Sequence, residues 1–380
     1  MSTARANLAR HWTIHVLGAA FPLTAGLLLY GWRAAGSIAV VVISAIAAMF
    51  LWRRIGRRGG TLHMGHGVYL ALLLAMMLPA HLLRTGSAGG LWTEPNSWAI
   101  LAAGGFALGI FLWLLGGLGH GPVHPVILSF LLLVVIFGDA LDAHVVLHRR
   151  AVLVGDVTSC VQHQPQEEAW IDDREMPKAD ALYFRKSAAD ELTSYTRGLL
   201  APHKWMSIDG LLREAMPPLE DLAVGGHPGP IGLSCAIATL IGGLFLLYRG
   251  VIDWRIPVLT VLAAYLALIL LPVPVALSGS SITWRPVFLP RAQLDWAVMI
   301  TFANYQILAS PLLFVAFFLA TSTSVAPMTR RAKATFAVLL GLLCAAAQIY
   351  FSCTIGPYVA LLVVGLFSPW LDEWLGRRRV

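Results

Sequence analysis

The sequence predicts an all-α integral membrane protein of about ten transmembrane helices, and three observations lead to this fold class. Hydrophobic residues make up 58% of the 380-residue chain and charged residues only 12%, whereas roughly 25% is usual in soluble domains. The apolar residues are grouped into runs long enough to cross a bilayer. Lys and Arg are concentrated on one side of these runs, as expected for a membrane protein of fixed orientation.

Ten apolar windows have the length that roughly 30 Å of hydrocarbon requires. They run Trp12–Tyr30, Gly36–Trp52, Gly67–Leu83, Trp98–Leu115, Pro125–Ala143, Ile231–Tyr248, Ile256–Leu277, Leu294–Leu319, Ala334–Ile349 and Thr354–Leu371.

Basic residues predict that both termini are cytoplasmic. With the amino terminus inside, the inner segments hold fourteen Lys and Arg and the short outer loops hold four. Because Lys and Arg resist translocation, this asymmetry favours the orientation. The high net positive charge of the chain is therefore a topology signal, and no nucleic-acid partner is expected.

One polar stretch of the chain is long. Residues 149–224 carry thirteen of the twenty Asp and Glu, and the topology places them outside, as a periplasmic arm lying on the membrane face. The sequence thus predicts transmembrane helices 1–5 in residues 1–148, the arm in residues 149–224, and helices 6–10 in residues 225–380.

The third and eighth windows are weakly similar, and each occupies the same place within a five-helix half. Five crossings per half would give two inverted repeats, which commonly enclose a site between broken helices. Candidate breaks are GGLGHGPVHP, from Gly116 to Pro125, and CTIGPY, from Cys353 to Tyr358.

Three stretches of the chain resemble one known family. GGLGHGPVHP is similar to the family's GGLGxNPxNP turn, and Val224 to Pro257 resembles its LGNxPGSIGExSxLAxLLGGxxLLxRxxIxWRIP almost position for position. The last two windows, ending in SPWLDEWLGRRRV, are similar in hydropathy and placement. The chain is identified as a member of the RnfD/NqrB family, which contains membrane subunits of Rnf electron transport complexes and of the sodium-translocating NADH:quinone reductase.

The resemblance implies a covalent flavin on the outer side of a bacterial inner membrane. In the family, a flavin transferase attaches flavin mononucleotide (FMN) through a phosphodiester bond to Thr in a D-x-x-S-G-A-T motif. The most similar segment here is DELTSYT, in which Thr196 is the candidate acceptor and Asp190, Thr193 and Ser194 are its motif neighbours. A second frame, GDVTSCV, has no hydroxyl at the acceptor position. DELTSYTRG could also be an ordinary capped helix start.

Several positions depart from the family pattern. Tyr195 replaces Ala beside the acceptor, and Leu233 replaces the Glu that follows PGSIG. The first departure degrades the attachment motif, and the second puts in doubt the polar contacts that would hold a second flavin, for which riboflavin is the candidate. No Asp, Glu, Lys or Arg lies in the middle of a window, so this chain is not expected to translocate ions by itself.

Histidines and cysteines give weaker signals. His11 and His15, His120 and His124, and His144 and His148 are each four residues apart. On a helix the two histidines of such a pair share one face and could bind metal or haem. The simpler interpretation is that they lie at the level of the lipid headgroups or form hydrogen bonds within the protein. The four cysteines have no iron–sulfur or zinc spacing.

Two functions from different classes follow. The first is a redox subunit of a multi-subunit oxidoreductase, carrying electrons through FMN in company with iron–sulfur subunits and not acting as a stand-alone enzyme. The alternative is a flavin-free channel for a small solute, or a scaffold for partner subunits. Thr196 discriminates between them, because only the electron carrier needs an attached flavin.

The topology has a direct test in a cysteine-free background. A cysteine placed within the 149–224 arm will react with an impermeant maleimide added to the periplasmic side, and one introduced by Arg57→Cys will not, because fourteen basic residues hold Arg57 inside. Lysed cells, in which both sites react, are the control. The reverse labelling pattern would show that the orientation is wrong.

Overall fold

A computed structural model shows how these segments fold. It describes residues 2–55, 64–79, 82, 97–115, 123–141, 146–147, 183–184, 187–196, 208, 211–212, 216–225, 229–276, 282–286 and 296–376. The chain divides into two compact units, and each is described by itself. The first unit comprises Met1–His120, Pro125–Ser187 and Val224–Val251, and the second comprises Gly121–His124, Ala188–Ala223 and Ile252–Val380.

The first unit is a bundle of apolar helices. Its elements are α1 (Ser2–Ile55), α2 (Met64–Met77), α3 (Ser97–Leu114), α4 (Pro125–Leu141) and α7 (Ala236–Tyr248), with a small pair of strands, β1 (Val146–Leu147) and β2 (Tyr183–Phe184). Helix α1 packs against α2, α3 and α7. It is interrupted at Gly31, whose φ of 61° lies in the left-handed region that glycine adopts without strain.

The second unit contains the remaining helices of the described chain. They are α5 (Ala188–Thr196), α8 (Arg255–Leu270), α9 (Trp296–Ala309), α10 (Leu312–Phe314), α11 (Arg330–Tyr350), α12 (Gly356–Leu366) and α13 (Ser368–Gly376); α6 (Leu219–Val224) ends at the boundary between the units. An antiparallel hairpin of β3 (Pro272–Ala276) and β4 (Ile282–Pro286) follows α8. Helix α11 packs along α8 and α12.

Each predicted apolar window overlaps a described helix or bent pair of helices. Three are long and apolar enough to cross a bilayer, His11–Gly31, Ala34–Arg54 and Arg330–Tyr350, and the two bent pairs around Ser310 and Phe367 raise the number to five. Five shorter apolar helices account for the other windows. The helical fold class and the positions of the apolar segments are therefore confirmed, whereas ten crossings and the inverted repeat stay predictions.

These helices carry apolar side chains both on their exposed faces and where they pack against one another. Leu28, Val135 and Leu262 are exposed, while Leu74 and Phe336 are fully buried. A helix that is hydrophobic all round belongs in lipid or in the core of a large protein, so this pattern supports a membrane setting.

The third window ends as a helix earlier than expected. Helix α2 stops at Met77, and Pro79 forms an isolated antiparallel bridge with Pro230. Ile231 N–H donates to the Leu78 carbonyl (3.1 Å) and Gly232 N–H to the Met76 carbonyl (2.9 Å). These bonds satisfy the carbonyls that the helix end leaves free, which apolar surroundings require.

Close backbone approach holds the same segment against α1. A Cβ on Gly26 would overlap the Ile231 carbonyl oxygen, and one on Gly232 would overlap the Met76 side chain. The Tyr30 hydroxyl donates to the Gly229 carbonyl (3.0 Å) and shares a hydrogen bond with the Ser234 hydroxyl. Residues 229–234, which include most of the PGPIG stretch, thus connect α1 and α2 to the start of α7.

The seventh, eighth and tenth windows are not continuous helices. Helix α8 ends at Leu270 rather than Leu277, because Pro272 begins a strand. The eighth window bends by 61° between α9 and α10 and ends in a π-helical turn, Val315–Leu319. Pro311 lacks the N–H that would continue the helix. The tenth window bends by 45° between α12 and α13.

The two candidate breaks have different outcomes. Most of Gly116 to Pro125 lies outside the described residues, and α4 begins at Pro125. The CTIGPY segment runs from the turn after α11 into the first residues of α12, so it lies at the end of a helix rather than at a break within one.

Helix packing in the second unit gives a stability prediction. A Cβ on Gly341 of α11 would overlap the Thr260 carbonyl oxygen of α8 and lie 2.8 Å from the Ala263 Cβ, so Gly341→Ala will force the helices apart. Overpacking of this kind costs about 1–3 kcal/mol, and a lowered midpoint of thermal unfolding in detergent will report it. Gly138→Ala is the matched control, since no described atom lies within 4 Å of its Cβ. Equal midpoints for both variants would contradict the close helix contact.

Candidate functional site

The candidate flavin segment forms a short amphipathic helix. Helix α5 has Asp190 and Glu191 in its first turn, where carboxylates interact favourably with the helix dipole. Ala188, Leu192 and Thr196 repeat every four residues and form one buried face. The segment is therefore helical throughout, and Asp190 to Thr196 forms the body of the helix rather than a cap before it.

Two polar side chains of α5 bind a single turn of the second unit. The Asp190 carboxylate accepts a hydrogen bond from the Thr354 hydroxyl (3.1 Å). The Thr193 hydroxyl accepts one from the Cys353 N–H (3.0 Å) and donates to the Ala189 carbonyl (2.7 Å). Two of the predicted motif residues are thus brought to the turn Phe351–Ile355, between α11 and α12.

The turn itself is held by local hydrogen bonds. The Ser352 hydroxyl accepts from the backbone N–H groups of Thr354 and Ile355 (both 3.3 Å), and Gly356 N–H donates to the Ser352 carbonyl (2.8 Å). These contacts fix the positions of the Cys353 N–H and the Thr354 hydroxyl. The turn therefore presents one backbone donor and one side-chain donor to α5.

A buried polar cluster lies behind this turn. The Cys353 thiol donates to the Gln306 side-chain oxygen (3.5 Å), and the Gln348 amide donates to the Ser310 hydroxyl (2.8 Å). Ser310 in turn accepts from Leu312 N–H (3.3 Å), which compensates for the helix break at Pro311. Both glutamines are completely buried.

The charge and hydropathy patterns of the sequence do not reveal this cluster. Gln306 and Gln348 are uncharged, and their mostly apolar neighbours hide them in a hydropathy average. A glutamine inside an apolar window does indicate a polar contact between helices, because a buried side-chain amide needs a hydrogen-bond partner.

The proposed acceptor is covered in this structure. Thr196 is 4% exposed, and its hydroxyl donates to the Leu192 (3.1 Å) and Thr193 (3.2 Å) carbonyls of its own helix. Tyr195 is half-buried, and burial raises the pKa of its phenol. Ser194 is exposed. The motif therefore supplies hydroxyls of different accessibility, and the candidate acceptor is among the buried ones.

Other sequence predictions fall elsewhere. The GDVTSCV frame, His120, His144 and His148 lie outside the described residues. Nε2 atoms of His11 and His15 are 3.2 Å apart, a hydrogen-bonded pair, and His66 lies against Trp12 (ring centroids 4.4 Å apart). Within the described ranges, His, Cys, Asp and Glu nowhere form a group of three that could hold a metal ion.

Another polar contact involves the IDWRIP segment, which the family pattern includes, and it lies in the second unit. Asp253, from the IDWRIP segment, accepts a hydrogen bond from the Lys333 ammonium group (3.2 Å) and from Arg255 N–H (3.2 Å). Partial burial opposes ionisation of the Asp253 carboxyl, but the hydrogen bonds and charges of Arg255 and Lys333 outweigh it and lower the pKa. This contact ties the start of α8 to the start of α11.

Comparison with known proteins identifies relatives over nearly the whole chain. A family model described as the NQR2, RnfD, RnfE family matches residues 3–380. The subunit designated D of the ion-translocating oxidoreductase complex of Halorhodospira halophila is 27% identical over 367 residues, covering 96% of this chain and 89% of that protein. The corresponding protein of Salmonella paratyphi A is 24% identical over 368 residues, which cover 94% of this chain and 90% of that protein.

A third relative matches a shorter segment. It is the subunit designated D of the Na(+)-translocating ferredoxin:NAD(+) oxidoreductase complex of Acetobacterium woodii, which is 25% identical over 166 residues, 43% of each chain. The family model and the first two relatives confirm, over nearly the whole chain, the resemblance inferred from the three sequence stretches.

Proposed function

The chain belongs to the NQR2, RnfD, RnfE family, and on this premise we propose that it is the RnfD-type membrane subunit of an Rnf-type ion-translocating oxidoreductase complex. The relatives that share about nine-tenths of its length belong to complexes of that name. Its apolar helices suit a bilayer, and we place it in the bacterial inner membrane. The asymmetry of Lys and Arg favours cytoplasmic termini.

Within such a complex the chain carries electrons through FMN attached to Thr196. In attachment, the Thr196 hydroxyl oxygen would displace AMP from the FMN phosphorus of flavin adenine dinucleotide. The pyrophosphate bond would break, AMP would leave, and the hydroxyl proton would be lost to solvent. FMN then supplies one- and two-electron chemistry, while the protein supplies attachment and orientation.

The residues of α5 fit this group in type and position. Thr196 is the last residue of the helix, and its hydroxyl donates to carbonyls of the same helix, a local pattern that threonine side chains commonly form. Burial is the condition that attachment must overcome, because the transferase needs the oxygen exposed. The hydroxyl therefore fits when the end of α5 opens.

The observation that carries the proposal is the docking of α5 on the turn Phe351–Ile355. With the amino terminus inside, the predicted topology places both this turn and the 149–224 arm on the outer side. One further contact agrees, because the Tyr350 hydroxyl donates to the Pro272 carbonyl (3.1 Å). This bond joins the outer ends of the ninth and seventh windows, which supports a flavin held at the outer face.

Partner subunits must complete the electron path. Since the sequence has neither iron–sulfur spacing nor a nicotinamide-binding fingerprint, iron–sulfur subunits would deliver or remove the electrons, and a flavin transferase would load the chain. Riboflavin is a candidate for a second, noncovalent flavin. No candidate span of the described chain contains an Asp, Glu, Lys or Arg at its centre, so we assign ion movement to the assembled complex.

The flavin-free alternative has one observation in its favour. The Thr196 hydroxyl is buried beside the bulky Tyr195, a surrounding that hinders a transferase. In that case α5 is a structural element, and the chain is a scaffold for partner subunits or a channel for a small solute.

Flavin attachment can be tested by co-expression with a cognate flavin transferase. The wild-type band will fluoresce under ultraviolet light on a denaturing gel, and the Thr196→Ala band will be dark, because only a covalent flavin survives denaturation. Mass spectrometry of the peptide containing residues 188–196 will show the mass added by FMN.

Two matched variants control this experiment. Thr196→Ser retains the hydroxyl and will remain fluorescent, and Thr335→Ala removes an exposed hydroxyl outside the motif and will also remain fluorescent. A dark wild-type band would favour the flavin-free alternative. A bright Thr196→Ala band would place the acceptor elsewhere, with Thr158 the next residue to examine.

A further inference from the structure

We infer that α5 is a latch: seated on the turn Phe351–Ile355 it covers Thr196 and Cys353, and released from the turn it exposes both. This inference rests on the proposed function for its biological meaning, since Thr196 is the proposed flavin acceptor. Thr354 is a positioning residue in this arrangement, because it acts on Thr196 only through the seating of the helix.

Contacts of α5 with the turn and with neighbouring helices hold the seated state. The Asp190–Thr354 and Thr193–Cys353 hydrogen bonds join the helix to the turn (3.1 and 3.0 Å). The apolar side chains Ala188, Ala189 and Leu192 are buried beneath the helix, which packs against α9 and α11. A nine-residue helix is too short to be stable by itself in water, so these contacts decide whether it stays seated.

The burial of Thr196 follows from that seating. Thr196 shares the buried face with Leu192 and Ala188, one and two turns earlier. A transferase cannot reach this hydroxyl without moving the face away from the bundle. Local opening of short, weakly held segments occurs well below the free energy of global unfolding, so release of α5 alone is sufficient.

Cys353 reports the same movement independently of flavin. Its N–H is bound by Thr193, and its thiol is wholly buried and donates to Gln306. Burial raises the pKa of this thiol, and the nearby Asp190 charge raises it further. A change at Asp190 would therefore alter thiol reactivity as well as access, whereas Thr354→Val removes a latch bond and leaves that charge in place.

The experiment compares full-length protein with Thr354→Val, Thr354→Ser and Thr335→Val, all made without transferase. Thr354→Ser keeps the hydroxyl that binds Asp190, and Thr335 is a threonine whose exposed hydroxyl bonds to its own helix (Arg331 carbonyl, 3.1 Å). Maleimide labelling rates are measured by site-resolved mass spectrometry at Cys353 and, in a Thr196→Cys background, at position 196. In parallel, purified transferase and flavin adenine dinucleotide are added, and the initial rate of in-gel fluorescence is recorded.

Loss of one net hydrogen bond raises the population of molecules with α5 released about 3- to 10-fold. Thr354→Val will therefore accelerate maleimide labelling at both positions by that factor. It will accelerate flavin attachment at Thr196 by the same factor. Thr354→Ser and Thr335→Val will behave as wild type. Unchanged labelling in Thr354→Val, or equal acceleration in Thr335→Val, would overturn the latch. Accelerated labelling with dark bands for every protein would support the latch and refute the flavin assignment alone.

Discussion

The structure depends on one constraint: a backbone polar group in apolar surroundings must find its hydrogen-bond partner within the protein. Two helix ends in the described chain show how the constraint is met. The end of α2 is satisfied by the amides of Ile231 and Gly232, and the break after α9 by the Ser310 hydroxyl. The irregular segments are therefore fixed parts of each unit.

Glycine and tyrosine make the first of these junctions possible. Only a residue without Cβ at Gly26 lets α1 approach the Ile231 carbonyl, and only a side chain as long as Tyr30 reaches the Gly229 carbonyl and Ser234. Three residues of the PGPIG stretch lie at this contact, and packing and backbone hydrogen bonds account for them: Gly229, Ile231 and Gly232.

Around the candidate acceptor, the same bonding principle has a functional consequence. The turn Phe351–Ile355 offers its Cys353 N–H and Thr354 hydroxyl to α5 rather than to water. Polar groups of the DELTSYT motif are thus used to hold the helix, and the hydroxyl proposed for chemistry is turned inward with the apolar face. The proposed attachment would compete with burial for one segment, and the hydrogen bonds of α5 to the turn favour burial.

The sequence by itself determined where the apolar helices lie, because the free energy of transferring a segment into lipid depends on its own composition; it also placed Asp190, Thr193 and Thr196 in one motif. Only the tertiary structure decided that α2 ends at Met77 and that Thr354, in the turn before α12, holds α5. The Gln306–Cys353 contact is of the same kind. Each depends on a partner distant in sequence, and no local pattern of hydropathy or propensity encodes which distant group will satisfy a buried one.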